Sequence, residues 1–281
     1  MKLFNTSLIL IIIFASFING QNKQQKFQVD FNEIKGELTL KDQFKKDFGR
    51  YDGYQIELYE GEAVNFIVYS NNFQPSLAFV NPKGEVYKQS SVNDKNYANI
   101  VTTVPASGEW VLYVVGNEKT VGSYTLQTAI AEPNALSLPI NSDFCTTLDF
   151  LFSHANAYFF LLENPAIIKQ QLVKLNESFD AYIDEEDGSY NAAYYDGNDL
   201  LKAEQSFKNI SDKIKMCLDK DWQYKIENWK KVEDYKAKSI TLTEKTNDKP
   251  RHVMIAIYDF SGSNQNNRNR FSVVVEINRK H

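Results

Sequence analysis

Six carboxylates fall between positions 184 and 199 of this chain: Asp184, Glu185, Glu186, Asp187, Asp196 and Asp199. Calcium takes six to eight oxygen ligands, so this patch is the best place in the sequence for a hard cation, with Asp184, Glu186, Asp187 and Asp196 as the ligand set. The spacing does not follow the EF-hand loop. Consecutive carboxylates on a strand point to opposite faces, so the opposing reading is a solvated acidic turn, with 184–187 and Gly188 as the tip of a hairpin. No cofactor other than this calcium is implied.

A second stretch, "DWQYKIENWKKVEDYKAK" (221–238), sets Trp222, Tyr224, Trp229 and Tyr235 among five lysines and four acids. Trp222, Tyr224 and Trp229 are candidate ligand contacts, since rings beside cations stack on and pair with polyanions. The interspersed acids cut the local field, and the competing reading is an amphipathic edge with its rings inward and its lysines in water. The histidines, His154, His252 and His281, form no His-x-x-x-His pair, so zinc hydrolysis has no motif. Ser261 follows a predicted strand but lacks the Gly-x-Ser-x-Gly elbow. No catalytic residue is assigned. A carboxylate pair for glycoside cleavage is defined by separation in space, which leaves that chemistry open.

The elements that position these groups begin with a leader. Lys2, an apolar run from Leu8 to Phe17 and small residues to Gly20 have the form of a signal peptide, residues 1–20, too short to span a bilayer. No later segment reads as a membrane span. Export, to the periplasm or beyond the cell, makes a disulfide the expected state of Cys145 and Cys217, the two cysteines of the chain. The whole chain carries a formal charge of −5, and removing Lys2 leaves −6, which argues against nucleic acid as a partner.

After an N-terminal extension, 21–33, the segment 34–131 alternates with period two. Tyr54, Ile56 and Leu58 share a face, as do Val64, Phe66 and Val68, then Leu77 and Phe79, Trp110, Leu112 and Val114, and Tyr124, Leu126, Thr128 and Ile130. These are half-buried strands. Glu60-Gly61, Asn81-Pro-Lys-Gly84 and Pro105-Ala-Ser-Gly108 supply turns between them. Strands at this spacing without intervening helices predict a sandwich or barrel.

The same residues resemble the bacterial pre-peptidase C-terminal domain family. The matching features are Tyr51-Asp52-x-Tyr54, Gly61-Glu62, Ser70-x-x-Phe73-x-Pro75-x-Leu77, Pro82-x-Gly84, the Pro-Ala-Ser-Gly hinge and Gly122-x-Tyr124-x-Leu126, in order. The resemblance implies a jelly-roll-like all-β sandwich of the kind carried by secreted proteins as an accessory. Where the family has Asp before the Pro of the Phe-x-Pro run, this chain has Gln74, which removes an acidic oxygen from that loop.

A linker, 132–142, with two prolines leads to 143–281. Phe144, Leu148, Leu151, Ala155, Tyr158, Phe159 and Leu162 fall at helical spacing up to Pro165, and Leu200, Ala203, Phe207, Ile210, Ile214 and Cys217 form a second stripe. Packed antiparallel, these helices bring Cys145 and Cys217 together. Three strands follow, in "YKAKSITLTEK", "PRHVMIAIYDF" and "RFSVVVEINRK", and predict an α+β domain with two helices on an antiparallel sheet. The expected function is an exported, non-catalytic binding or accessory protein whose sandwich recognises a protein or polysaccharide surface. The alternatives are a hydrolase with a carboxylate-based site in the C-terminal half or at the junction, and an inhibitor or chaperone-like protein that takes a partner's strand or helix onto its sheet.

Overall fold

The computed structural model describes residues 27–46, 48–90, 96–162, 173–184, 187–232, 234–245, 250–262 and 270–279. The predicted leader, Pro165, Glu185, Glu186 and His281 lie outside them. Among the described residues the chain is mostly β, with three antiparallel sheets and two α-helices.

The first strands are β1 (Val29–Leu38), β2 (Gln43–Lys45), β3 (Gly49–Leu58), β4 (Ala63–Tyr69), β5 (Ser76–Val80), β6 (Val86–Gln89), β7 (Tyr97–Thr103), β8 (Gly108–Gly116) and β9 (Gly122–Ala131). They form a four-stranded sheet, β1-β9-β4-β7, and a five-stranded sheet, β2-β3-β8-β5-β6. The alternating apolar residues read from the sequence meet between them: Phe66, Phe79, Trp110, Leu112 and Leu126 belong to one buried cluster. Phe79 stacks on Trp110 with ring centroids 4.6 Å apart.

The turn chemistry falls where the sequence puts it. Gly84 donates its N–H to Asn81 O at 2.9 Å, and the Asn81 side chain accepts from Lys83 N and Glu85 N. The Pro105–Gly108 bend presents the Ala106 carbonyl to the indole N–H of Trp110 at 3.1 Å, so the hinge gives the buried ring's one polar atom its partner. Gly108 has φ +142, and a Cβ there would sit 2.9 Å from Pro82 Cγ. Gly108→Ala is therefore expected to destabilise the fold by roughly 1–3 kcal/mol. Urea unfolding would check this, and an unchanged midpoint would show that the hinge accepts the side chain.

After a 3-10 turn at Pro133–Leu136 come α1 (Phe144–Ala155), β10 (Asp180–Ile183), β11 (Tyr190–Gly197), α2 (Leu200–Cys217), β12 (Trp222–Val232), β13 (Tyr235–Glu244), β14 (Arg251–Asp259) and β15 (Phe271–Arg279). Asp143 caps α1 by accepting from Thr146 N at 2.7 Å, and Asp199 caps α2 by accepting from Leu201 N and Lys202 N. The strands make one six-stranded sheet, β10-β11-β15-β14-β13-β12. Leu242, Val253, Ile277 and Tyr190 stand side by side across it and belong to one core with Phe207, Ile210 and Ile214 of α2.

Two expectations need correction. The hairpin expected around the acidic run is present as β10 and β11, but it joins the three C-terminal strands in one sheet, and the ring-and-lysine stretch adds β12, which was not among the strands expected, to make six. The first helix stops at Ala155 rather than running to Pro165. Its apolar residues continue because Phe159, Leu161 and Leu162 turn back into the same core, through a left-handed backbone at Tyr158 (φ 49) and Phe159 (φ 57).

From Thr147 onward every residue of α1 except Asp149 is buried, the polar Thr147, Ser153 and His154 included, so the helix is covered well beyond one stripe. Phe150 meets Phe27 edge-on with centroids 5.1 Å apart, while Phe152 faces Trp222 at 4.9 Å. The core around α1 runs on to Val29, Ala63, Ala129 and Ala131 on the back of the four-stranded sheet. α1 thus lies between that sheet and the six-stranded one.

Candidate binding surfaces

The predicted calcium ligands do not converge. Asp184 and Asp187 sit at the tip of the β10–β11 hairpin, where Gly188 N donates to Asp184 O at 2.9 Å and Ser189 N to Asp187 Oδ1 at 2.8 Å. Asp196 lies near the far end of β11, six residues and roughly 20 Å along the strand from Tyr190 at the hairpin end. Glu186 is outside the described residues. No group of three or more His, Cys, Asp or Glu side chains among the described residues is arranged to hold a metal. The Glu276 carboxyl stands near the hairpin tip, and burial, then the charges of Asp187 and Asp184, push it above its ordinary value.

The histidines and serine are engaged. His154 is fully buried, and its Nε2–H donates to the Ala135 carbonyl at 2.8 Å. Burial lowers it to about 4, so the ring is neutral. His252 Nδ1 and Thr243 Oγ1 are 2.9 Å apart on neighbouring strands. Ser261 N donates to Asp259 Oδ1, closing a turn. Cys145 and Cys217 form the expected disulfide, Cα to Cα 5.1 Å. Two shallow grooves are present. One, of about 330 Å³, lies along α2 beside the Lys213–Glu177 ion pair, and the other, of about 220 Å³, lies beside the β12–β13 turn. In the first, Lys213 pairs with Glu177 and Gln205 with Asn209; in the second, Asp259 accepts from Arg270 and from Ser261 N.

The three candidate ligand rings separate. Trp222 is a packing ring: it faces Phe152, and Arg251, held by Glu244 through two hydrogen bonds of 2.9 and 2.6 Å, covers both rings. Tyr224 and Trp229 lie in β12 with 65% and 37% of their surface exposed. The expectation that the rings of this stretch turn inward therefore holds for Trp222 and fails for Tyr224. Among the described residues β12 is the last strand of its sheet, and none of their strands covers Tyr224 from outside.

A second aromatic surface was not anticipated. On the solvent side of the five-stranded sheet, Phe48, Tyr51 and Tyr113 meet edge-to-face at 5.1–5.6 Å. Tyr113 lies over Gly53, where a Cβ would come within 2.9 Å of its ring. Tyr51 Oη donates to Gln43 Oε1 at 2.7 Å, and Gln55 Nε2 to Glu109 Oε1 at 3.3 Å. The signal was in the sequence: Tyr51 and Tyr113 occupy the outward phase of β3 and β8, where alternation predicts small or polar residues.

No family model matches the chain, and no curated protein matches it. Among solved structures, the pre-peptidase C-terminal domain of a collagenase from Bacillus anthracis is similar at 17% identity and a TM-score of 0.28, covering 34% of this chain and 87% of that one. PliG of Aeromonas hydrophila, a periplasmic inhibitor of g-type lysozyme, is similar at 14% identity and a TM-score of 0.27, over 36% of this chain and 86% of its own. The propeptide form of lipase BlEst2 from Bacillus licheniformis is similar at 11% identity and a TM-score of 0.23, over 87% of this chain and 44% of that one. Likenesses this slight carry no inference about partner or activity.

Proposed function

We propose that this chain is an exported binding or accessory protein whose sandwich recognises a protein or polysaccharide surface. The observation that carries the reading is the Phe48–Tyr51–Tyr113 ring cluster, built on a sheet face in the phase that should meet water. The two tyrosines, each with an apolar body and a hydroxyl at the tip, suit such contacts and stand on β3 and β8, while Phe48 packs against both from the β2–β3 turn. The Cys145–Cys217 disulfide and the leader-like sequence support export, and no helix among the described residues is long and apolar enough to cross a membrane.

In the same reading, residues 34–131 are a jelly-roll-like module akin to the pre-peptidase C-terminal domain. The motifs that resemble that family sit at its turns and core, and its strand order alternates between two facing sheets. Residues 132–142 are the linker and 143–281 the α+β module.

The test is retention on insoluble polysaccharides and on immobilised secreted proteins from the native culture, compared between the wild-type chain and a Tyr51→Ala/Tyr113→Ala variant. We expect the variant to lose at least tenfold in affinity while unfolding at nearly the same temperature, because both rings are part-exposed. If the wild type is retained by neither material and instead turns over a substrate, the reading fails.

A further inference from the structure

We propose that the outer edge of β12 receives an extended, acidic segment of a partner protein, added as a seventh antiparallel strand. The argument starts from the pattern of the strand. Trp222, Tyr224 and Ile226 pair with Glu244, Leu242 and Ile240, which puts all three on the side of the sheet that carries the helices. Gln223, Lys225 and Glu227 point the other way. This is the period-two signature of a strand with one face in a core. The core stops at Trp222, however, and Tyr224 and Ile226 are 65% and 55% exposed.

A strand edge left to solvent is ordinarily guarded by lysines or inward-pointing charges, by shortness or by a bulge, and on β12 the lysines stand on the face opposite Tyr224 and Ile226 or beyond the register shift. β12 is 11 residues long, and its register shift comes only after Glu227. The residues from Gln223 to Glu227 therefore offer a regular run of backbone donors and acceptors beside two uncovered apolar side chains, while Trp222 N already donates to Asp219 O. Met216, at the end of α2, is 77% exposed, and the neighbouring Lys215 ammonium stands 5.5 Å from the centre of the Tyr224 ring.

Charge selects the occupant. Within its bounds β12 holds three lysines and one glutamate, with Asp221 and Asp234 just beyond its ends, and that glutamate is already shared by Lys225 and Lys230 at 3.1 Å each. Both ammonium groups hold Glu227 below the usual carboxylate range. Lys231 and Lys215 add to the positive rim. A second copy of this chain would bring the same excess of lysines edge to edge and be repelled. A strand carrying carboxylates at the positions facing Lys225 and Lys230 and aliphatic residues facing Tyr224 and Ile226 is complementary on both faces.

The surface is remote in sequence from the ring cluster of the sandwich and does not depend on it. The probe is a capped octapeptide of alternating Glu and Val, titrated into the full exported chain by calorimetry. A Lys-Val octapeptide and a Glu-Val octapeptide N-methylated at every second residue serve as controls. We expect the acidic peptide to bind, and both controls to lose at least tenfold. N-methylation leaves the charges and removes one edge of backbone donors, so its effect separates strand addition from simple attraction. Tyr224→Asp and Ile226→Asp, both at exposed positions, should each weaken binding at least tenfold while the Tyr51→Ala/Tyr113→Ala variant binds as the wild type does. Absence of binding, equal binding of the N-methylated or the Lys-Val peptide, unchanged binding by the Asp variants, or a concentration-dependent dimer of the chain that Ile226→Asp dissolves would each overturn the proposal.

Discussion

A Cys145→Ser/Cys217→Ser chain is expected to lose roughly 4 kcal/mol of folding stability and to melt on the order of 10 °C lower. The bridge joins residues 72 apart, and in the chain-entropy account a loop of that length removes about this much freedom from the unfolded state. Its position makes the test clean. Cys145 lies in the first turn of α1 at an exposed position, and Cys217 is the half-buried last residue of α2, so serine at either site leaves no deeply buried hydroxyl in search of a partner. The loss should come from the cross-link itself. Thermal unfolding followed by circular dichroism, with the wild type under reductant as a second arm, measures it. The reduced wild type and the double variant should agree. A melting temperature indifferent to both would mean that the core packing of α1 already holds the two helix ends together without help from the sulfurs.

That pairing was legible in the sequence because it needed two facts of local pattern, a cysteine opening one apolar stripe and another closing the next. The sandwich was legible for the same reason: Val64, Phe66 and Val68, or Trp110, Leu112 and Val114, state their face by alternation alone, and Asn81, Pro82 and Gly84 state their turn. What stayed hidden depends on neighbours distant in the chain. The continuing apolar run after Ala155 has the composition of a helix, and only the shape of the surrounding core decides that Tyr158 and Phe159 turn instead. β12 was hidden by its lysines and acids, which mask the period-two order of Trp222, Tyr224 and Ile226. The acidic patch promised convergence, and β11 carries its members apart along one extended strand. The ring cluster of Tyr51 and Tyr113 was readable as two bulky residues out of phase, but their meeting depends on the β3–β8 register, which sequence spacing does not reveal.

The second large effect is expected in acid. His154, in the last turn of α1, faces the 3-10 turn, tilted against Phe150 at 4.7 Å, and its one hydrogen bond is the Nε2–H donated to Ala135 O. Nδ1 is buried without a partner, so nothing stands ready to share the charge of an imidazolium. Burial lowers the folded-state value from 6.5 to about 4, with the Ala135 bond opposing it only in part. Above pH 6.5 the ring is neutral folded or unfolded and contributes no pH dependence. Between 6.5 and 4 the unfolded chain takes up a proton that the folded chain refuses, so stability falls as the pH falls, by about 3 kcal/mol over the interval, and levels off below it. His154→Gln keeps an N–H able to reach Ala135 O and removes the titration. Denaturant unfolding of both chains at half-unit steps from pH 7.5 to 3.5 isolates the effect, since carboxylates such as Glu244 and Asp259 titrate in both and cancel in the difference. The wild type should lose stability relative to the variant across that window. Parallel curves would mean that the ring is hydrated in solution, and that the contact between α1 and the Pro133–Leu136 turn opens far more readily than a packed core permits.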